Sequence, residues 1–272
     1  MRKRVIIISL VLCMGAILAY SIWAIRGAKK IRRIVLISID TCRADHLSCY
    51  GYPMETTPNI DELARTATRF ENVVSPVPIT LPAHGSMLTG AIPLSHGVHN
   101  NIGFQLAPTN LTLAEILKKN GYKTGAIVSA FVLDKQLGLA QGFDTYQDSF
   151  EQGRHNNAHG IERKGDETTQ LALEWLDSNK DARELFLFLH YYDPHDEYEP
   201  PEPFASEFAE NPYAGEIAFT DHCIGRVIQK LKALNMYDST LLIIAGDHGE
   251  MLGEHGEREH SYFVYESAIK VP

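Results

Sequence analysis

The chain repeats one arrangement: short apolar runs rich in β-branched residues, separated by stretches with helical spacing. IVLISID (34–40), TRFENVV (68–74), KTGAIVS (123–129), LFLFLHYY (185–192) and TLLIIAGD (240–247) are the runs. A run that is apolar without alternation belongs to a strand buried on both faces, as in parallel sheets. Between them, TPNIDELART (57–66) opens on a Thr-Pro helix start and LTLAEILKKNG (111–121) closes on Lys-Lys-Asn-Gly. DETTQLALEWLDSN (166–179) and EIAFTDHCIGRVIQKLKAL (216–234) place apolar residues three and four apart. Strands alternating with helices predict an α/β fold, a mostly parallel sheet with helices on both faces. The polar stretch 141–166 is expected to be a surface excursion, and EYEPPEPF (197–204) a loop.

In such sheets ligands gather at the carboxyl ends of the strands. Asp40, the segment from His190 to Asp193, and Asp247-His248 all end predicted strands. Each has a bland reading, since a strand-ending Asp often caps the next turn or helix. In PITLPAHGSMLTG (78–90), Thr80 is either a nucleophile or the cap of a helix starting near Pro82, and His195 in DPHD could be a plain loop residue. Taken together, the strand ends supply Asp, Thr, Asp and His, an oxygen-rich set with one imidazole. That set suits Mg²⁺, Mn²⁺, Ca²⁺ or Zn²⁺.

At 272 residues the chain has room for one large domain or two small ones. A net charge of −9 argues against a nucleic-acid partner, which needs a basic face. Twelve histidines, several beside aspartates, make metal chemistry worth testing. Cys13, Cys42, Cys49 and Cys223 show no zinc-type spacing and read as free or buried thiols.

The first thirty residues differ in kind. MRKR precedes an uncharged run at 5–25, which as a helix spans roughly 30 Å, the thickness of a bilayer's hydrocarbon core. It exceeds the apolar region of a cleaved signal, so residues 1–30 are expected to be an uncleaved single-pass membrane anchor. Arg26, Lys29, Lys30, Arg32 and Arg33 follow the run, against Arg2, Lys3 and Arg4 before it. The positive-inside count therefore opposes the extracytoplasmic placement otherwise expected for the following domain, and topology stays open.

Four segments, in order, resemble the sulfatase family of the alkaline phosphatase superfamily. LISIDTCRADHLSCYGYP (36–53) resembles its first metal-binding strand and loop, and SPVPITLPAHGSMLTGAIPLSHGV (75–98) its nucleophile segment. LHYYDPHDEYEPP (189–201) resembles its substrate-histidine loop, and IIAGDHGEMLGEHG (243–256) its second metal pair. The resemblance implies an alkaline-phosphatase-like three-layer sandwich over 31–272, lacking its C-terminal part. It also implies a hydrolase of sulfate or phosphate esters working with one divalent metal. Asp40, Asp247, His248 and Thr80 would hold the metal, and Thr80 would be the nucleophile. His195 and His260 would serve the leaving group, Asn101 and His84 the substrate, and Glu250 would support a ligand or cap. The substrate would be a small-molecule, glycan or lipid ester.

Three motifs depart from the family. Thr80 and His84 stand at the defining positions of a Cys/Ser-x-Pro/Ala-x-Arg motif, and threonine, with a methyl on its β-carbon, cannot become formylglycine. Thr41 replaces a second acidic ligand, and Ser129-Ala130-Phe131 replaces a Lys-x-His. A threonine sulfate lacks the exit that a formylglycine hydrate has, whereas a threonine phosphate can be resolved by water or an alcohol. Phosphodiesterases and phosphoglycerol transferases therefore stand beside sulfatases as expectations. Transfer of a phosphoglycerol or phosphoethanolamine group to a glycan or lipid, or a non-catalytic membrane-anchored domain, are the alternatives.

Overall fold

The computed structural model describes residues 30–150 and 162–272. The expected anchor and part of the polar excursion lie outside these. Among the described residues no helix is long and apolar enough to cross a membrane.

The strands are β1 (Arg33–Ile39), β2 (Val73–Val74), β3 (Lys123–Ile127), β4 (Thr145–Gln147), β5 (Leu185–Tyr191), β6 (Thr240–Gly246) and β7 (Lys270–Val271). The helices are α1 (Pro58–Ala64), α2 (Thr80–Thr89), α3 (Pro93–His96), α4 (Leu113–Lys119), α5 (Gly165–Ser178), α6 (Phe204–Glu207), α7 (Pro212–Ala233) and α8 (Glu266–Ile269). Five strands form one parallel sheet in the order β4-β3-β5-β1-β6. The first strand thus lies between the fifth and sixth, with Ile39 opposite both Tyr191 and Gly246.

Successive strand residues point to opposite faces, so the central runs β1 and β5 feed two cores. Val35, Ile37 and Ile39 of β1 and Leu185, Leu187 and Leu189 of β5 pack against α1, α5 and α7. Leu36, Phe186 and Phe188 face the other way, against α2 and α4. Burying each such side chain is worth about 1.5–3 kcal/mol, which is why neither strand tolerates polar alternation. The result is the expected three layers.

Local chemistry sets the helix starts. Thr112 and Glu115 form a reciprocal capping box on α4, and Asn211 caps α7 ahead of Pro212. Gly125 in β3 is required by close approach: a Cβ there would lie 2.4 Å from Cε2 of Trp175 on α5.

Two expectations change. Of TRFENVV, only Val73–Val74 is a strand, and it pairs antiparallel with β7 outside the main sheet. Its polar residues leave it exposed, without two apolar faces to bury. The excursion at 141–166 in turn contributes β4, which extends the sheet beside β3. Cys42, Cys49 and Cys223 are unpaired thiols.

Candidate active site

Because β1 and β6 run in register, Asp40 and Asp247 leave the sheet side by side, one residue beyond the pair Ile39 and Gly246. Both carboxylates are buried, and each has one oxygen committed and one without a hydrogen-bond partner. Asp40 Oδ2 accepts from Nε2 of His190 at 3.0 Å, and Asp40 Oδ1 has no partner. Asp247 Oδ1 accepts from the backbone amides of Thr41 (3.2 Å) and His248 (2.7 Å), and its Oδ2 has none.

The hydrogen bonds fix the imidazole tautomers. His248 Nδ1 donates to the carbonyl of Gly249 at 2.9 Å, so Nε2 carries the lone pair. That Nε2 lies 3.4 Å from Asp247 Oδ2 and 3.7 Å from Asp40 Oδ1. Burial, together with the neighbouring His260, lowers the His248 pKa to about 3 and keeps the ring neutral. His190 has the other tautomer: its Nδ1 accepts from the amide of Ser129 at 3.3 Å, so Nε2 is the donor to Asp40.

Electrostatics separate the two acids. Burial alone would raise Asp40, but the His190 hydrogen bond and nearby imidazoles hold it well below the usual carboxylate range. Asp247 is raised well above that range, first by burial and then by the charge of Asp40. Two buried carboxylates this close call for a cation between them.

Thr80 is the first residue of α2, and its hydroxyl does not cap the helix. Oγ1 lies 3.2 Å from the bare Nε2 of His248, to which it donates. The cap comes from elsewhere: Asn101 Oδ1 accepts from the Leu81 amide at 2.8 Å. Asn101 thereby anchors the turn that aims Thr80.

His84 is placed away from the substrate position that its place in the motif suggests. One helical turn after Thr80, it points down at the sheet and is fully buried. Its Nδ1 donates to the Thr80 carbonyl (2.8 Å) and its Nε2 accepts from the Ser38 hydroxyl (2.9 Å), so neither nitrogen is left for a ligand. It braces the nucleophile helix from below.

Above Thr80 a cavity of about 180 Å³ opens, with Asn101, His195 and His260 on its walls. His195 stacks on Tyr192 at 4.3 Å, and its Nδ1 donates to the Asp196 carbonyl, leaving Nε2 available. His260 is held by Glu250, whose Oε2 accepts from Nδ1 at 3.0 Å, again leaving Nε2 available. Burial opposes the charged ring of His260, but Glu250 outweighs it and the pKa is raised. Glu250 therefore supports His260 and also accepts the Met251 amide. A larger, open hollow of about 600 Å³, bordered by Gln147, Arg163 and Arg226, contains none of these residues.

Thr41, where a second acidic ligand was absent, has a positive φ of 51° and sends its hydroxyl to the Pro194 carbonyl at 2.7 Å. Its amide holds Asp247, and its carbonyl accepts from the Tyr213 hydroxyl at 2.7 Å. Asp193 caps α5 by accepting from the Gly165 amide at 2.9 Å. His190, Ser38 and Thr41 carry the site from behind. The first two had a signal, being polar, mutually paired residues inside apolar strands.

Asp40, Asp247 and His248 offer ligand atoms that all lie within 4.8 Å of one another, and no other such group exists among the described residues. Two unpartnered carboxylate oxygens, a bare imidazole nitrogen and the Thr80 hydroxyl form a donor set that fits one hard or borderline divalent cation.

Comparison with known proteins places the fold and the family. The chain is 28% identical over 282 residues to the ulvan-active sulfatase of Formosa agariphila, a match covering 88% of this chain and 55% of that protein. It thus spans about half the length of that relative. The phosphonate monoester hydrolase of Agrobacterium radiobacter superposes with a TM-score of 0.74 at 20% identity, over 89% of this chain and 67% of that one. The C-terminal periplasmic domain of EcEptC from Escherichia coli, solved with zinc, superposes at 0.70 and 24% identity, over 89% and 72%. The family model named Sulfatase matches residues 32–272, and the chain belongs to the sulfatase family.

Proposed function

We propose that this protein is a hydrolase of phosphate or sulfate esters that uses one divalent metal and Thr80 as its nucleophile, with phosphate esters the better substrates. The observation that carries this is the Thr80 hydroxyl 3.2 Å from a bare imidazole nitrogen, beside two unpartnered buried carboxylate oxygens. Asp40, Asp247 and His248 are the residues to hold the cation. Bound there, it supplies charge neutralisation for the anionic ester and a lower pKa for the hydroxyl.

The chain's own groups account for the rest. His84 and Asn101 fix the start of α2, so the Thr80 hydroxyl is held facing the substrate position. Thr80 releases its hydroxyl proton to solvent as Oγ bonds to phosphorus and the bond to the leaving oxygen breaks. That oxygen takes a proton from Nε2 of the charged ring of His260 or His195. Water then returns a proton to that imidazole as its oxygen bonds to phosphorus; the Oγ–P bond of the phosphothreonine breaks, and Oγ takes up a proton from solvent to restore the hydroxyl. Threonine has no second group to expel, which weighs for phosphate over sulfate.

Replacing Thr80 by alanine is expected to abolish turnover while metal content stays at one equivalent. Undiminished turnover in that variant sinks the assignment. Product analysis separates hydrolysis, complete in water alone, from transfer, which requires an added acceptor alcohol. The uncharged run at 5–25 supports attachment to a membrane, and fractionation of the full chain with and without those residues tests it.

A further inference from the structure

Thr41 is a β-branched residue in the left-handed region, at φ 51°, fully buried and one residue after Asp40. Its side chain crowds the backbone there, which makes the conformation uncommon outside glycine, asparagine and aspartate. Each of its three polar groups is committed to a different segment. The amide donates to Asp247 Oδ1 beyond β6 (3.2 Å) and the hydroxyl to the Pro194 carbonyl beyond β5 (2.7 Å). The carbonyl accepts from Tyr213 on α7 at 2.7 Å.

The hydroxyl bond falls on the peptide that carries His195. That peptide is gripped on both sides, since the His195 amide donates to the Tyr192 carbonyl at 2.9 Å. The imidazole at the cavity wall is thus placed by its backbone as well as by stacking on Tyr192.

Tyr213 supplies the rigid end. It lies in the first turn of the 22-residue α7 and is 2% exposed, with its ring 5.0 Å from His46 and 5.3 Å from Tyr198. Its hydroxyl donates to the Thr41 carbonyl and accepts from the Arg43 amide at 3.0 Å, so one phenol closes the turn across Cys42. Burial pushes its pKa well above the ordinary tyrosine range, and the group stays a donor. Pinned at 41 and 43, the turn keeps Thr41 in a backbone geometry that needs such support to persist.

Granted that Asp247 holds the cation and His195 serves the leaving oxygen, we propose that Thr41 is a positioning residue coupling the two, with Tyr213 as its clamp. The amide keeps one Asp247 oxygen occupied, so the other faces the cation. The hydroxyl fixes how far His195 stands from that cation, and so from the ester bound to it. Where an acidic residue would add a ligand, the threonine ties the metal side of the site to its proton-donating side.

The test reads the leaving group, using 4-nitrophenyl and phenyl esters of phosphate and sulfate on the metal-loaded full chain. Nitrophenolate departs readily as an anion, whereas phenolate gains from a proton delivered in the transition state. Thr41→Val keeps the shape and the amide but loses the hydroxyl. Its kcat/KM is expected to fall about tenfold or more on phenyl esters and less than about threefold on nitrophenyl esters. Its Mn²⁺ affinity should stay within about threefold of the parent, because the amide still holds Asp247. Thr41→Gly, which accepts the left-handed backbone, should share that signature, and Thr41→Ser should restore the parent's values. Tyr213→Phe should also weaken Mn²⁺ binding about tenfold, because the Thr41 amide is released. His195→Ala is the reference and should show the leaving-group signature in full. Its absence there overturns the role of His195 and the coupling with it. Its presence there but not in Thr41→Val and Thr41→Gly overturns the coupling alone. Unchanged Mn²⁺ affinity in Tyr213→Phe overturns the clamp, and Mn²⁺ bound equally well by Asp247→Ala overturns the metal assignment itself.

Discussion

His190 donates from Nε2 to Asp40 Oδ2 across 3.0 Å, and the backbone amide of Ser129 holds its tautomer. With Oδ2 taken by that bond, the lone pairs of Asp40 left to face the cation position are those of Oδ1, which has no hydrogen-bond partner. His190→Ala frees the carboxylate to rotate and leaves it buried without its donor. Groups that orient metal ligands typically contribute 10- to 100-fold in affinity. Titration of Mn²⁺ into metal-free protein should show a loss of that order, with far-UV circular dichroism unchanged. Equal affinity in the two proteins would falsify the orienting role.

Asn101 accepts from the Leu81 amide and replaces the side-chain cap that Ile79 cannot supply. Asn101→Ala should lower stability by about 1 kcal/mol and reduce kcat, because the Thr80 turn loosens. Asn101→Asp keeps the acceptor and suits the helix dipole, so stability should return. The added negative charge beside an anionic substrate should still raise KM. Urea unfolding and steady-state kinetics read the two effects separately; a variant that recovers both leaves no electrostatic contribution at this position.

Glu216 on α7 is fully buried. One oxygen accepts from the Glu199 amide at 2.8 Å, and the other has no partner. Burial, then the charge of Asp193, pushes its pKa up to about 8 from 4.5. A carboxyl with a raised folded pKa favours the folded state while protonated, and that stability is lost as pH rises from 4.5 toward 8. Glu216→Gln stays neutral throughout. It should match the parent near pH 5 and be more stable above pH 8, by about 2–4 kcal/mol at most. Thermal unfolding at pH 5 and pH 8.5 checks this; a constant difference between the proteins rules out the titration.

Gly125 leaves room for the indole of Trp175. Gly125→Ala puts a methyl within 2.4 Å of the ring and should cost about 1–3 kcal/mol through overpacking. Combining it with Trp175→Phe should recover part of that loss. The denaturation midpoint of the double variant is the measurement, and a double variant weaker than the sum of the two singles counts against direct contact.

The sheet was legible where the sequence obeys one rule without exception. β1 and β5 are apolar runs because they bury both faces, and together with β3 and β6 they fall within a residue or two of their expected bounds; β6, at the sheet edge, leaves Leu241 and Ile243 exposed. β2 and β4 were not legible: each is short and owes its form to pairing with β7 or β3 rather than to its own composition. Asp40, Thr80, Asp247 and His248 could be picked out as strand-end or helix-start residues. What could not be read was direction. Sequence leaves Thr80 both a cap and a nucleophile, and only the register of distant strands turns its hydroxyl to His248. The same holds for His84, where helical spacing decides that it faces Ser38.

Strand order also has a consequence for synthesis. β1 is the first of the described strands to be made, yet its neighbours are β5 and β6, and the Thr41 amide meets its Asp247 partner 206 residues later. At ordinary translation rates that is a wait of about 10–40 s with at least one edge of an apolar strand unpaired. Such non-local pairing also folds slowly. The nascent chain therefore offers chaperones, or its own copies, a sticky ribbon until that partner emerges. The same topology ties metal binding to completion, because Asp40 cannot meet Asp247 and His248 until the sixth strand has been inserted.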